Sequence, residues 1–174
     1  MFNKISAHDC YSSYFKYESI RHDLCNDHIL RELQSVTDNQ KQMWAEKQSR
    51  LFLDMNDARD SDVAKGLIYH RIDQLDAVNR IYDIILDAAK KENSLQEPDE
   101  LGRMVKNGKI AALIKRLVKH KGAICIFYED YTVPRSNNKA ERDFHVFKVK
   151  LKVCGGFRTF AGGEDFACMM SYLR

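Results

Sequence analysis

Apolar residues recur through the first part of the chain at the spacing of amphipathic helices. Over residues 23–36 they fall at positions compatible with one helical face. Over residues 41–59 a second apolar stripe is made of Trp44, Leu51, Phe52 and Met55. No proline occurs before Pro98, so long helices are permitted throughout this stretch. The pattern therefore predicts two helices here that bury one face each.

A longer amphipathic pattern covers residues 63–92. Its members alternate at spacings of four and three, with one polar residue among them: Ile68, Ile72, Leu75, Asn79, Tyr82, Leu86 and Ala89. Such a seam is typical of a helix in an antiparallel hairpin, and also of a dimerising coiled coil. The pattern favours a hairpin with the Trp44 helix, and the coiled coil stays an alternative.

The elements predicted after Pro98 are shorter. Residues 110–118 indicate a short basic helix, and residues 123–128 form an apolar run that fits a buried strand or a buried helix. A turn is predicted around Pro134, followed by helices over residues 139–153 and 163–173 with a break at Gly155-Gly156. The chain is therefore predicted to be mainly α-helical with a small β component.

Charge is divided unevenly along the chain. Residues 1–100 carry 13 Lys and Arg against 19 Asp and Glu, whereas residues 101–174 carry 15 against 6. A basic half is typical of a protein that binds a phosphate backbone, and also of a solvated basic surface. The chain has no apolar run of membrane-spanning length and no signal-peptide pattern, and its five cysteines are scattered. We therefore predict a cytoplasmic protein with free thiols and no membrane span.

Two acidic residues stand out as candidates for chemistry. Glu141 follows Asn138 by three positions, which is the spacing of a helix capping box with Asn138 as N-cap. It also lies in a basic helix that leads to a Gly-Gly-Phe-Arg turn, an arrangement suited to gripping phosphates beside a metal ligand. Asp9 follows a strand-like start and fits a metal ligand, an N-cap or a surface residue. Taken alone, the pattern around Asp9 favours an N-cap for residues 11–17.

Other common site signatures do not occur. The sequence has no Gly-Lys-Ser/Thr phosphate loop, no Gly-x-Ser-x-Gly nucleophile turn and no Gly-x-Gly-x-x-Gly turn. Nucleotide-binding and serine-hydrolase classes are therefore not supported.

Six short segments fall in two regions of the chain. The first region contains residues 8–15 (HDCYSSYF) and 24–33 (LCNDHILREL). The second contains residues 133–143 (VPRSNNKAERD), 148–152 (KVKLK), 155–158 (GGFR) and 171–173 (SYL). Together they resemble the insertion-sequence-66 family of transposases, which are DDE enzymes. The first region is similar to that of the family's second catalytic Asp, and the second to that of its catalytic Glu. The motifs occur in the family's order and span nearly the whole chain.

The resemblance implies a partial ribonuclease-H-like core made of residues 1–35 and 106–174, interrupted by a helical insertion over residues 36–105. It implies that Asp9 and Glu141 are catalytic carboxylates that bind Mg²⁺ for two-metal phosphoryl transfer. The implied partner is the DNA of transposon ends. Together with the basic charge, it predicts DNA contacts from Asn137, Asn138, Arg142, Lys148, Lys150, Lys152 and Arg158.

The chain departs from the family's pattern at several points. The family's first catalytic Asp lies well before the second, whereas eight residues precede Asp9 here. Ser136 and His145 stand where the family has Asp and Arg. We therefore expect a truncated transposase fragment that is inactive on its own. One alternative is a non-enzymatic DNA-binding or dimerising fragment that modulates an intact transposase, and another is a helical interaction protein in which Glu141 only caps its helix.

Overall fold

Helices dominate the part of the chain that the structure describes. The computed structural model describes residues 5–70, 72–93 and 108–172, without the side chains of residues 73, 139–141 and 143. The elements are β1 Ile5–His8, β2 Arg21–Leu24, α1 Asn26–Gln40, α2 Met43–Ala64, α3 Ile72–Glu92, α4 Lys109–Lys119, α5 Lys121–Glu129, α6 Asn138–Cys154 and α7 Phe160–Tyr172. A short 3₁₀ helix, Tyr14–Lys16, lies between the strands. The predicted mainly α-helical fold with a small β component is confirmed, and the predicted break at Pro98 lies outside the described residues.

The two strands pair in parallel. Ile5 is the partner of Arg21, and His8 is the partner of Leu24. Because parallel strands end at the same edge of a sheet, the residues that follow β1 and β2 lie on one side of the pair. Asp23 and Leu24, which the apolar pattern assigned to a helix, belong to β2, and α1 begins only at Asn26. A strand of four residues with a buried end cannot be separated from a helix start by periodicity.

The chain divides into two compact units, Met1–Ser136 and Asn137–Arg174. The first unit contains a continuous hydrophobic core to which β2 and helices α1 to α5 all contribute. Its largest fully buried side chains include Trp44, Phe52, Tyr82, Phe127 and Ile114. The predicted apolar stripe of α2 is confirmed, since Trp44, Leu51, Phe52 and Met55 are all buried.

Helices α2 and α3 form the predicted antiparallel hairpin. Phe52 of α2 contacts Tyr82 of α3 with ring centroids 6.0 Å apart. At the other end, the Gln42 amide donates to the Asn93 side chain at 2.9 Å, which brings the start of α2 beside the end of α3. The later seam residues Tyr82, Leu86 and Ala89 are buried in this core. The later part of the seam therefore serves packing inside the chain, whereas Ile68 and Ile72 are exposed.

The predicted single helix over residues 63–92 is wrong at its start. Helix α2 continues to Ala64 and ends in a Schellman motif, in which Leu67 N–H donates to Asp62 O and Gly66 N–H donates to Val63 O. Gly66 has φ +81°, a conformation that favours glycine. Ile68 therefore lies outside any helix, and α3 begins at Ile72.

The apolar run at residues 123–128 forms a helix, which settles the ambiguity between strand and helix. It lies in α5, whose residues from Ile124 to Tyr128 are buried in succession. A helix with five consecutive buried residues must be covered on several sides, and α5 packs against β2, α2 and α4. The preceding basic helix was predicted correctly as α4.

The second unit consists of α6 and α7 joined through the predicted glycine break. Gly155 ends α6 in the left-handed conformation, with φ +69°. Phe166 of α7 packs edge-on against Phe147 of α6 at 5.3 Å and also lies 5.4 Å from Phe157. Among the described residues of this unit none is buried. The two helices therefore share a small aromatic contact and no enclosed core.

Candidate functional site

Asp9 lies directly after β1 and its side chain is exposed. The interpretation of Asp9 as an N-cap is wrong, because the following 3₁₀ helix begins at Tyr14 and has Ser13 as its N-cap residue. Asp9 thus presents a solvent-accessible carboxylate at the carboxyl end of a parallel strand. This is a position from which a side chain can reach a ligand without breaking the strand pairing.

The backbone on both sides of Asp9 is fixed by His8. The His8 carbonyl accepts a hydrogen bond from Cys25 N–H at 3.0 Å, which extends the pairing of the two strands. The His8 Nδ1 accepts the Cys10 N–H at 3.2 Å. Cys10 has φ +69°, a strained conformation for a residue with a side chain. The turn that presents Asp9 is therefore held by two hydrogen bonds to a single residue.

The His8 ring is itself buried and oriented. Its Nε2 lies 3.1 Å from Nδ1 of His22 on β2. Because Nδ1 of His8 accepts the Cys10 N–H, the hydrogen-bond network assigns the proton to Nε2, which donates to His22. Burial, reinforced by His22, lowers the pKa of His8 and favours this neutral form. Phe15 packs against His22 and stacks on His120, which closes the cluster.

A second carboxylate, Asp23, lies in β2 opposite Ala7 of β1. Its side chain is fully buried, and within the described part of the chain neither of its oxygens accepts a hydrogen bond. Burial raises the pKa of Asp23 to about 7, against the opposing influence of the Arg59 guanidinium. Asp23 is therefore a buried group poised between its neutral and charged forms. The sequence analysis did not select it, since it lies just before the motif of residues 24–33 and its burial depends on residues distant in the sequence.

A polar clamp joins the end of α2 to the segment that leaves the first unit. We use the name polar clamp for Arg59, Asp60, Asp62, Tyr131 and Arg135. Arg59 donates to the carbonyls of Tyr131 at 2.9 Å and Val133 at 3.1 Å. Arg135 pairs with Asp60 at 2.9 Å, and the Tyr131 hydroxyl donates to Asp62 at 2.9 Å. These contacts fix the backbone up to a few residues before α6 begins.

In the second unit, one face of α6 is polar and mostly basic. Asn138, Arg142, His145 and Lys148 line a shared groove of about 470 Å³. Their spacings of four, three and three place them along one side of the helix, and Lys152 follows four positions later. We call these five residues the α6 stripe. It joins four of the predicted DNA-contacting residues, and it adds His145, which the sequence analysis did not include.

The other predicted DNA-contacting residues do not line this groove. Lys150 lies 6.0 Å from the ring centroid of Phe166, on the side of α6 that meets α7. Arg158 lines a different groove together with Phe157 and Phe160. Asn137 is the N-cap residue of α6, and its side chain makes no capping hydrogen bond. The predicted capping box with Asn138 as the cap is therefore wrong by one position, because Asn138 is already helical.

Glu141 lies in the first turn of α6, and its side chain is outside the described part of the structure. Its role as a metal ligand therefore stays a prediction. Among the side chains that are described, no three or more His, Cys, Asp or Glu are grouped so as to hold a metal ion. Over the same residues, no helix combines the length and apolar character needed to cross a membrane.

Comparison with known families defines the class of this protein as a transposase. The family model described as "Transposase IS66 family" matches residues 2–165, which is nearly the whole chain. The chain therefore belongs to the IS66 family of transposases, as the motifs around Asp9 and Glu141 predicted. Neither the curated proteins nor the solved structures gave a significant match.

Proposed function

We propose that this chain acts in DNA transposition by two-metal phosphoryl transfer, supplying Asp9 and Glu141 to the metal site. The observation that carries the proposal is the position of Asp9: an exposed carboxylate at the carboxyl end of β1, in a turn held by His8. A parallel strand pair with a carboxylate directly after β1 also supports the proposed ribonuclease-H-like core. In this scheme residues 1–35 and 106–174 belong to that core, and residues 36–105, which include the hairpin of α2 and α3, form the insertion.

The chemistry of Asp9 fits Mg²⁺. A carboxylate offers hard oxygen donors, and the exposure of Asp9 leaves them accessible to an ion that keeps several of its waters. Glu141 offers the same donor type. When bound, Mg²⁺ supplies Lewis-acid activation of a water or a 3′-hydroxyl and stabilises charge at phosphorus. The contribution of the chain is to hold the Asp9 carboxylate in place through the His8 turn.

The metal proposal can be tested without transposition activity. Fe²⁺ replacing Mg²⁺ reacts with added hydrogen peroxide, with ascorbate to return Fe³⁺ to Fe²⁺, and the hydroxyl radicals cut the backbone beside the bound ion. The cuts are mapped by mass spectrometry. We expect cuts near residues 8–10 and near residues 140–142, suppressed by excess Mg²⁺ and by Asp9→Asn. The control is Asp57→Asn, which changes an exposed carboxylate on α2 and should leave the cuts unchanged. A cleavage pattern that stays unchanged in Asp9→Asn and in Glu141→Gln would overturn the proposal.

We further propose that the α6 stripe binds the DNA phosphate backbone. Arg142, Lys148 and Lys152 lie along one exposed helix face, with Asn138 before them and His145 between Arg142 and Lys148. A row of cations at helical spacing neutralises successive phosphates and releases their counterions, so affinity falls steeply with salt. Lys150 and Arg158 lie on other surfaces of this unit. They are therefore secondary candidates for DNA contacts.

The test is the salt dependence of DNA affinity, measured by fluorescence anisotropy on a duplex. Changing Arg142 and Lys148 to Ala together should make the negative slope of log K against log salt shallower by about 2, since each phosphate contact contributes about −0.9. The matched control changes Lys47 and Arg50 of α2, also one Lys and one exposed Arg, to Ala. Equal slopes for the two double variants would rule out the stripe as the phosphate-binding face.

We also propose that the polypeptide of residues 1–174 shows no turnover when assayed alone, because Asp9 and Glu141 are two of the three carboxylates that a DDE site needs. A nicking or strand-transfer assay with Mg²⁺ or Mn²⁺ checks this. Turnover that disappears in Glu141→Gln would contradict it. The dimerising alternative can use only the first part of the seam, where Ile68 and Ile72 are exposed, since Tyr82, Leu86 and Ala89 are buried inside the first unit.

A further inference from the structure

Three tyrosines are exposed immediately after Asp9. Tyr11, Tyr14 and Tyr17 have 63%, 43% and 64% of their surface accessible to solvent. Aromatic side chains are normally covered in a folded domain, so three exposed rings within seven residues form an unusual surface. They lie in the crossover between β1 and β2, and the proposed function gives them no role. We call them the tyrosine face.

The backbone explains why the three rings share one side. Tyr14 N–H donates to Tyr11 O at 3.1 Å, and Tyr17 N–H donates to Tyr14 O at 3.2 Å. Successive bonds between residues three apart give the geometry of a 3₁₀ helix, in which side chains at i and i+3 are eclipsed. Tyr11, Tyr14 and Tyr17 accordingly line one groove of about 470 Å³, together with Ser13 and Lys16.

The tyrosine face is anchored to the turn that presents Asp9. The Tyr14 ring packs on the buried His8 ring, with centroids 4.8 Å apart and planes inclined by 33°. Tyr11 meets Tyr14 edge-on at 6.2 Å. His8 is also the residue that holds the backbone around Asp9. Tyr11, two residues after Asp9, is thus carried on a fixed base, and Tyr17 lines the same groove.

We propose that the tyrosine face binds unstacked nucleobases of single-stranded DNA next to Asp9. The inference rests on the proposed function, and it adds that the strand is gripped there through its bases as well as its phosphates. Aromatic rings stack on every base, and proteins that hold single strands combine such rings with cations. Lys16 lines the groove and supplies such a cation.

The composition of the groove favours bases over an apolar protein partner. Its lining consists of aromatic rings that carry hydroxyls, one further hydroxyl and one cation. A protein-docking groove is usually centred on aliphatic and aromatic side chains that exclude charge. Stacking on a base also requires exposed ring faces, which the accessibility of Tyr11 and Tyr17 provides.

The experiment compares two strands of equal charge. Fluorescence anisotropy measures binding of the 174-residue polypeptide to a short oligothymidylate of about 12 nucleotides and to an abasic strand of the same length. We expect the strand with bases to bind at least about fivefold more tightly. Changing Tyr11 and Tyr17 together to Ala should remove this preference and leave binding of the abasic strand unchanged. Changing both to Phe should retain the preference, because the ring is kept.

The control is Tyr69→Ala, which removes a tyrosine that is 60% exposed in the first unit but lies outside the crossover. It should leave the preference intact. If an Ala variant does not fold, as judged by circular dichroism, the wild type still tests the proposal. A strand that contains the fluorescent base 2-aminopurine should lose fluorescence when it binds, because stacking on a ring quenches that base.

Three outcomes overturn the proposal. Equal affinity of the wild type for both strands, with the salt dependence preserved, refutes stacking and leaves the phosphate contacts of the α6 stripe standing. Binding of neither strand refutes the tyrosine-face proposal, and the duplex titration then decides the α6 stripe separately. A wild-type dimer that becomes monomeric when Tyr11 and Tyr17 are changed, with no change in base preference, assigns the tyrosine face to contacts between copies.

Discussion

The two units of this transposase chain differ in where their apolar residues lie. The first unit buries Trp44, Phe52, Tyr82 and Phe127 in one continuous core. In the second, none of the described residues is buried, and residues such as Phe144, Val153, Phe160 and Tyr172 are exposed. Both units are helical and contain comparable residue types. What separates them is the number of elements available to cover each apolar face.

The comparison shows how stability and proposed function are divided along the chain. A unit of about 40 residues buries too little surface to hold itself together without outside support. The first unit is built to fold, and it fixes the turn at Asp9 through buried His8. The second unit carries the α6 stripe on an arrangement stabilised mainly by Phe166 and its ring neighbours. We therefore expect sequence changes to affect stability in the first unit and binding in the second.

The largest expected effect is a direct contrast between two phenylalanines. Phe52→Ala removes a fully buried ring from the first unit and should lower the free energy of unfolding by about 3–5 kcal/mol. Phe166→Ala removes the aromatic contact of the second unit, and its effect on the main urea transition should stay below about 1 kcal/mol. Urea denaturation followed by circular dichroism measures both. Equal losses would mean that the two units unfold as one body, and that the second unit depends on its aromatic contact as much as the first depends on its core.

The polar clamp tests whether the segment before α6 is held by the first unit. Arg59→Met keeps the length and the apolar stem of the side chain but removes its hydrogen bonds to the carbonyls of Tyr131 and Val133. Both carbonyls belong to buried residues, so we expect a loss of about 3 kcal/mol in the free energy of unfolding. Hydrogen exchange should also rise between residues 130 and 136.

The matched control for the clamp is Arg50→Met on the same helix. Arg50 pairs with Asp54 at 2.9 Å, but its side chain is mostly exposed, so the loss should be within about 0.5 kcal/mol. If the two Arg variants lose the same free energy, the segment from Asp130 to Ser136 is not held by the first unit, contrary to our description of the clamp.

Regular periodicity made the helical part of the fold predictable. The stripe at Trp44, Leu51, Phe52 and Met55 is buried as predicted, because one face of α2 meets the core and the other faces water. Periodicity failed where burial is not one-sided or where the backbone breaks the repeat. Helix α5 is covered on several sides, which hides its period, and Gly66 ends α2 inside a pattern that continues through the break.

The candidate site was predictable from motifs and not from periodicity. Asp9 was selected because its neighbours match a family pattern, and the structure adds the reason for its presentation, which is the turn held by His8. Residues whose role depends on distant partners gave no local signal. Arg59 contacts carbonyls more than 70 positions away, and the state of Asp23 depends on its burial beside the same Arg59. His145 belongs to the α6 stripe because helical spacing places it in the groove lined by Asn138, Arg142 and Lys148.

The smallest expected effect concerns Asp23, a carboxyl group that the first unit buries, whereas no described residue of the second unit is buried. Burial raises the pKa of Asp23 to about 7, well above the value of an Asp in an unfolded chain. Between about pH 4 and pH 7 the folded chain holds a proton that the unfolded chain releases. The contribution of Asp23 to the free energy of unfolding is therefore fully present at about pH 4 and is lost as pH rises toward 7.

The Asp23→Asn variant has no ionisable group at this position, so its free energy of unfolding should not show the fall that Asp23 causes between about pH 4 and pH 7. We expect the variant to match the wild type near pH 4 and to be more stable by about 2 kcal/mol at pH 8, with part of the gain offset by a buried amide. Urea denaturation at a series of pH values measures the difference. The control Ile29→Val removes a buried methyl group without changing charge, so it should lower stability by a similar amount at every pH. Parallel curves for the wild type and Asp23→Asn would show that the Asp23 carboxylate reaches water, contrary to its burial in the core of the first unit.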